Sequence, residues 1–433
     1  MNFPVQVLVV SFVLLLVFNV PVAFSMGIAS VLAMLAMGDL PALVAVAHKM
    51  ITGIDEFSLL AIPFFILSGL FMGHGGIARR LIDFANVLVG RFRGGLALVN
   101  ILTCMLFGAI SGSATAAVSS VGGFMIPLMN KRGYDREFNA SVTITAATTG
   151  LLIPPSNVMI VYSLAAGGAV SIAAIFMAGV IPGILVGLGL MVVSSFISWR
   201  RNYGKGETVR LSETWKRFFK AIPALLLIVI VMGGILGGVF TATEASAVAV
   251  LYSFLLAVVF YKEVKWREIP GILLQGGVMT SVVFLLIAAS MAMSWVLAAE
   301  RIPQDISAAL LGLTHNKIMV LLIINLILLA VGTFMDMTPA VLIFTPIFLP
   351  VVDTFGIHPL HFGIIMIMNL CIGLCTPPVG TCLFLGCGIA ETTVTKVMRQ
   401  ILPFYAAMII VLFICSYMPV LSMWLPEQLG LLK

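Results

Sequence analysis

Charge is scarce in this chain: Asp, Glu, Lys and Arg make up 9% of its 433 residues, against 61% apolar. A water-soluble domain carries about a quarter charged residues, so a soluble globule is excluded and the chain belongs in a bilayer. Alternating ten-residue strands are missing as well, which excludes a transmembrane barrel, and the apolar stretches recur near the ~20 residues that a spanning helix needs. The expected fold is therefore all-α and polytopic. No GxxxxGK[ST] loop, HExxH or nucleophile elbow occurs, so neither ATP hydrolysis nor a soluble-type enzyme site is visible, and energy must come from an ion gradient. The chain is not expected to be an enzyme. Residues 5–18 lack the basic flank and cleavage site of a secretory signal and are expected to stay as an anchor.

Six cysteines (Cys104, Cys371, Cys375, Cys382, Cys387 and Cys415) lie in apolar runs without the paired spacing of a zinc site, and are expected to be buried and structural. The net charge of +6 does not point to nucleic acid, because the basic residues never gather into a stripe with aromatics. Topology explains them better. With the N-terminus outside, spans near 4–20, 22–38 and 57–76, and a loop starting at Arg79, nineteen basic residues fall on the cytoplasmic side. They are Arg79, Arg80, Arg91, Arg93, Lys131, Arg132, Arg136, seven from Arg200 to Lys220, Lys262, Lys265, Arg267, Lys396 and Arg399. Four remain outside: Lys49, Arg301, Lys317 and Lys433. This is the direction the positive-inside rule requires. It demands that segments 94–129 and 318–352 enter and leave on one side, as re-entrant hairpins. Each follows an amphipathic stretch (Leu81, Phe84, Leu88, Phe92; Ile302, Ile306, Leu310, Leu313) suited to a helix along the interface. About ten full spans plus two hairpins result, with both termini periplasmic.

Slid along itself by one constant offset, the chain superimposes Pro127 on Pro350, Gly133 on Gly356, Gly150 on Gly373, and Pro154-Pro155 on Pro377-Pro378. The hairpins enter from opposite sides, so the repeats are inverted, as in many secondary transporters. Four regions follow: 1–76, N-terminal scaffold spans; 77–198, the first repeat; 199–298, a cytoplasmic loop and central scaffold spans; 299–433, the second repeat.

Chemistry concentrates at the hairpin tips and the breaks. The first tip reads Gly108-Ala109-Ile110-Ser111-Gly112-Ser113-Ala114-Thr115 and the second Gly332-Thr333-Phe334-Met335-Asp336-Met337-Thr338-Pro339. A turn at that depth leaves carbonyls for a cation and aims helix N-termini at an anion; the plainer reading is small residues that let helices pack closely. Asp336 sits in a strongly apolar region where an unpaired carboxylate costs on the order of 3 kcal/mol; a bound cation removes that cost, and a position at the hairpin mouth reaching water also would. The breaks read Ile153-Pro154-Pro155-Ser156-Asn157 and Cys375-Thr376-Pro377-Pro378-Val379-Gly380-Thr381. Paired prolines remove two backbone donors, leaving carbonyls and hard side-chain oxygens, or else a plain kink. Thr115, Ser156, Thr338 and Gly380 are the expected substrate-side residues of these tips and breaks. Glu244 falls at the external end of a span, where a solvated or capping role is favoured over transport chemistry. Glycine pairs at Gly233/Gly237, Gly234/Gly238 and Gly183/Gly187 suit close helix contact.

The order of interfacial helix, Ser-Gly-Ser-Ala-Thr-Ala hairpin, Pro-Pro-Ser-Asn break, Thr-Ala-Thr-Glu-Ala segment, Asp-Met-Thr-Pro hairpin and Thr-Pro-Pro-Val-Gly break resembles the large membrane (M) subunit of the tripartite ATP-independent periplasmic (TRAP) transporters over essentially the whole chain. The resemblance implies sodium-coupled uptake of organic acids across the bacterial inner membrane by an elevator motion. It implies two protein partners, a separate small four-helix membrane (Q) subunit and a periplasmic substrate-binding protein, besides membrane lipid. Position by position it places one Na+ at Ser111, Ser113 and Asn157, and a second at Asp336, Thr376 and Thr381. The spans around 173–198 and 222–298 would brace a moving domain made of the hairpins and broken helices. The cargo would be a carboxylate of the dicarboxylate or sialic acid class, with overall resemblance leaning to sialic acid. The alternative is a stand-alone carrier akin to the divalent-anion sodium symporters, which would need no binding protein.

Overall fold

The computed structural model describes residues 3–38, 41–204 and 211–432. Lys205, Arg210 and Lys433, all placed by the charge argument, lie outside them. Among the described residues there are twenty α-helices and no strand, and eight helical segments are long and apolar enough to cross a membrane.

Helices α1 (Phe3–Val17) and α2 (Val22–Met37) pack on each other across a break ending at Pro21, and at 15 and 16 residues both are shorter than the spans expected from the sequence. Helix α3 (Ala42–Ile54) was not foreseen; it lies against α2 and α13 (Ile269–Ala299). A single tight turn, Phe57–Leu60, leads into α4 (Ala61–His74). The interfacial helix α5 (Ile77–Val89) buries Ile77, Ala78, Leu81 and Ala85, one face at helical spacing, whereas Leu88 and Phe92 of the expected stripe point outward.

The first repeat continues as α6 (Gly95–Ser111), α7 (Ala114–Lys131), α8 (Arg136–Thr149), α9 (Asn157–Ala165) and α10 (Ile172–Arg200). Helices α11 (Leu211–Leu236), α12 (Ala242–Phe254, extended by a wider turn at Leu255–Phe260) and α13 follow. The second repeat is α14 (Ile302–Leu313), α15 (Lys317–Phe334), α16 (Met337–Thr354), α17 (Pro359–Gly373), α18 (Thr381–Ile389) and α19 (Val394–Tyr417), closed by α20 (Val420–Gln428). Helices α15 to α18 start at Lys317, Met337, Pro359 and Thr381, and α6 to α9 start at Gly95, Ala114, Arg136 and Asn157. The two series keep an almost constant offset, so the internal duplication is structural. Both hairpins (α6/α7 and α15/α16) and both broken helices (α8/α9 and α17/α18) form where the sequence places them.

The two copies pack reciprocally. Helix α7 lies on α18 and α16 lies on α9, the exchange of equivalent contacts that a two-fold relation produces. In each copy the first hairpin arm crosses the broken helix at a pair of glycines. A Cβ on Gly150 would come 2.4 Å from Gly108 Cα, and one on Gly373 would come 2.5 Å from Gly332 Cα. At the end of the bundle carrying the α7–α8 connection, Arg136 pairs with Glu391 at 3.3 Å, Thr392 donates to Glu137, and Arg201 donates to both Asp135 and Gln400. These bonds tie the copies together.

Helices α2, α3 and α4 pack on α13, α4 on α12, and α11 on α5 and α12. The expected brace at 173–198 is different: α10 packs mainly on α6, α8, α17, α19 and α20, so it is built into the body formed by the repeats. All six cysteines are buried and unpaired with one another.

Candidate transport site

The tip of the first hairpin is a two-residue turn. Gly112 takes φ +61°, a left-handed conformation that only glycine adopts freely, and its N–H donates to Gly108 at 2.8 Å. Ser113 then caps α7, its Oγ accepting from the Ala116 N–H at 3.3 Å and lying 3.1 Å from Thr115 Oγ1. The Ser113 N–H in turn donates to Ser111 Oγ at 3.4 Å. The first break meets this turn directly, since a Cβ on Gly112 would lie 2.9 Å from Asn157 Nδ2. There Ser156 Oγ and Asn157 Oδ1 are buried with no hydrogen-bond partner among the described residues. Leaving such groups unmet costs about 1–3 kcal/mol each.

At the second tip Asp336 occupies the N-cap position of α16 with extended backbone (φ −67°, ψ 160°). Its side chain lines a cavity. The second break is anchored more tightly than the first. Val379 N–H donates to Thr333 at 3.1 Å, the Cys375 carbonyl accepts from Tyr405 Oη, and Thr376 Oγ1 donates to Ile372 at 2.8 Å. Thr381 Oγ1 is buried without a partner among the described residues.

Both tips open onto one cavity of about 700 Å³. Ser111, Ser113, Thr115, Asn157, Asp336 and Thr338 line it, whereas Ser156, Thr376, Gly380 and Thr381 do not. Ser111, Ser113 and Asn157 thus come together on one cavity, and of the second expected set only Asp336 lines it. Four polar residues that the sequence reading missed also line it: Ser119, Ser120, His74 and Gln275. Ser119 stands one helical turn beyond Thr115 on α7 and Ser120 one turn beyond Ala116, which also lines the cavity, a period that was available in the sequence. His74 and Gln275 come from α4 and α13, and no local signal announces them. A second cavity, about 850 Å³, lies on the other side of α9 and is lined by Lys49, Glu56, Ser171 and Thr241 among others. Asn157 and Val161 face the first cavity, Ile160 and Leu164 the second, so α9 stands between them.

Glu244 is a capping residue. Its carboxylate accepts from the Thr241 N–H at 2.8 Å while Thr241 Oγ1 accepts from the Glu244 N–H at 3.2 Å, a reciprocal box at the start of α12. No group of three or more His, Cys, Asp or Glu suited to a metal occurs among the described residues.

Residues 9–421 match the family described as "Tripartite ATP-independent periplasmic transporter, DctM component". The chain is 50% identical to the uncharacterized protein YgiK of Salmonella typhimurium, over 98% of this chain and 97% of that one. It is 43% identical to the C4-dicarboxylate TRAP transporter large permease protein DctM of Pseudomonas aeruginosa (89% and 90%) and 37% identical to the sialic acid TRAP transporter large permease protein SiaM of Vibrio cholerae (95% and 96%). Among solved structures, the Alcanivorax borkumensis YdaH transporter superposes with a TM-score of 0.63 at 13% identity, covering 90% of each chain, a likeness of fold. Hairpins, broken helices and family match agree: this chain is a multi-pass membrane protein that belongs to the large-permease (DctM) component family of the tripartite ATP-independent periplasmic transporters.

Proposed function

We propose that this chain is the translocating subunit of a sodium-coupled importer that carries an organic acid across the bacterial inner membrane. It would work with a small membrane subunit and a periplasmic binding protein, as the tripartite family description implies. The observation that supports the coupling is where unmet buried oxygens gather. Of eight such oxygens among the described residues, three (Ser156 Oγ, Asn157 Oδ1 and Thr381 Oγ1) stand at the starts of α9 and α18, where uncharged hard oxygens and freed carbonyls suit a monovalent cation. Asn157 with Ser111 and Ser113 would hold one sodium, and Asp336 with Thr376 and Thr381 the other.

The shape of the cavity at the tips supports elevator motion. Its polar wall belongs to the repeats, and its opposite wall, from α4 and α13, is mostly apolar, with Ile62, Ile66, Leu70 and Val282. Such a surface lets a polar site slide past without breaking hydrogen bonds. With the N-terminus outside, the end of α4 at His74 and the start of α13 face the cytoplasm, so the tip cavity opens inward and the cavity beyond α9 outward. The cargo class is a carboxylate, on the names of the C4-dicarboxylate and sialic acid relatives.

The test is sodium-gradient-driven uptake of radiolabelled organic acids into proteoliposomes holding this chain and its small subunit, with and without the binding protein. Uptake that needs all three proteins and the gradient is expected. Uptake by this chain alone, or uptake indifferent to sodium, overturns the proposal.

A further inference from the structure

Resting on the transport reading above, we infer that Lys49 is the counter-ion that receives the cargo carboxylate at the cavity beyond α9, a binding group on the scaffold and apart from the tips. Fixed charge is sparse along the route between the two cavities. Among the described residues, Asp336 and His74 are the ionisable groups lining the tip cavity, and Lys49 and Glu56 are those lining the other. Lys49 is thus the one lysine or arginine on either cavity. An anion passing from one to the other meets a single permanent cation, and meets it on the side that faces outward in the orientation above.

Lys49 is also uncommitted. Arg80, Arg136 and Arg201 each pair with a carboxylate, whereas the Lys49 ammonium makes no ion pair or hydrogen bond with the described residues. Glu56 lines the same cavity without pairing with it. Thr52, Ser163, Thr241 and Thr243 line it too, but their hydroxyls already donate to oxygens of the protein and offer an anion no hydrogen. The lysine is half-buried, and the cavity walls include Leu59, Ile160, Leu164, Met291 and Trp295. Between such apolar walls a carboxylate is screened less than at an open surface, so its attraction to an ammonium is larger.

The lysine is fixed to the scaffold. Helix α3 packs on α2 and α13, and one turn beyond Lys49 it crosses α13 closely: a Cβ on Gly53 would lie 2.4 Å from Met291 Cγ. The facing wall, with Ile160, Ser163 and Leu164 of α9 and Ile172 of α10, belongs to the first repeat. Helix α9 has nine residues, a length of about 13 Å, and Asn157 at its start lines the tip cavity. Sliding the repeats outward by about that length would set the tips opposite Lys49, and sliding them back would leave the lysine behind. The cargo carboxylate would then have a counter-ion in the outward state and none in the inward one, a differential contact that favours capture outside and release inside.

The experiment measures initial sodium-driven uptake into proteoliposomes holding this chain and its small subunit, with the binding protein loaded with radiolabelled succinate, L-malate or N-acetylneuraminate. Lys49→Gln is expected to slow uptake of the acid that is carried about tenfold, and Lys49→Arg, which keeps the charge, to stay within about threefold of wild type. Glu56→Gln removes the opposing charge and is expected to transport at or above the wild-type rate. The melting temperature and half-saturating sodium concentration of Lys49→Gln should match wild type, and ligand-free binding protein should inhibit both equally, because docking does not involve the lysine. Undiminished uptake in Lys49→Gln, an equal loss in Glu56→Gln, or weakened inhibition by ligand-free binding protein overturns the inference and leaves the transport reading standing. Uptake of none of the three acids by the wild-type complex overturns both.

Discussion

Replacing Gly150 by alanine tests whether the glycine crossing of the first repeat positions the site. The new Cβ would lie 2.4 Å from Gly108 Cα, 2.7 Å from Gly108 C and 2.9 Å from Ala109 N. All three are backbone atoms, so no rotamer change relieves the clash, and carbon atoms pack comfortably only at about 3.5–4.0 Å. Arm α6 and helix α8 must therefore separate by about 1 Å, an overpacking expected to cost about 2–3 kcal/mol. The displacement is felt at Gly112, which donates to Gly108 and lies against Asn157 at the start of α9. The expected result is a lower melting temperature of the membrane complex and about a tenfold loss of sodium affinity, equivalent to about 1.4 kcal/mol. Gly123→Ala is the matched control, because it lies in the same hairpin with nothing within 4 Å of its new Cβ and exchanges a poor helix former for the best. If Gly150→Ala melts and binds sodium as Gly123→Ala does, the crossing does not set the site.

Four further outcomes are expected. Asp336→Asn flattens the dependence of uptake on sodium while leaving the complex folded, and unchanged coupling removes Asp336 from the cation site. Ser113→Ala and Asn157→Ala each raise the half-saturating sodium concentration about tenfold, and unchanged sodium binding in both rejects that placement. Thr241→Ala removes half of the cap on α12 and costs about 1 kcal/mol of stability, with sodium affinity untouched; a transport defect at wild-type stability would return this segment to the mechanism. His358 caps α17 by accepting the Leu360 N–H through Nδ1 at 3.1 Å, and burial lowers its pKa below the ordinary 6.5. The neutral ring is the one the fold prefers, so the contribution is present above pH 6.5 and lost as the pH falls below it and the ring protonates. A melting series from about pH 7 to 5 should show that loss, and His358→Asn, which keeps an acceptor, should remove it.

What could be read from the sequence was whatever acts on the backbone regardless of its surroundings. Paired prolines break a helix wherever they stand, and a glycine in a small-residue hairpin marks a turn, so both breaks, both tips and the constant offset between the repeats emerged without coordinates. Helix α3 escaped because its 13 residues are too short to register as a span, and the outward turn of Leu88 and Phe92 escaped because periodicity shows a stripe without saying which part of it meets protein. The site divides along the same line. Ser111, Ser113 and Asn157 could be grouped because the hairpin and the break each present them on local geometry. Thr376 donates its hydroxyl hydrogen to Ile372, a bond internal to its own segment that no motif reveals, and it does not line the cavity that Asp336 lines. His74 and Gln275 are further from reach still, since they join the site only through the way the scaffold helices α4 and α13 close on the repeats. A cavity wall contributed by distant helices carries no local signature, and under the alternating access proposed above that wall would decide what the cargo meets on its way out.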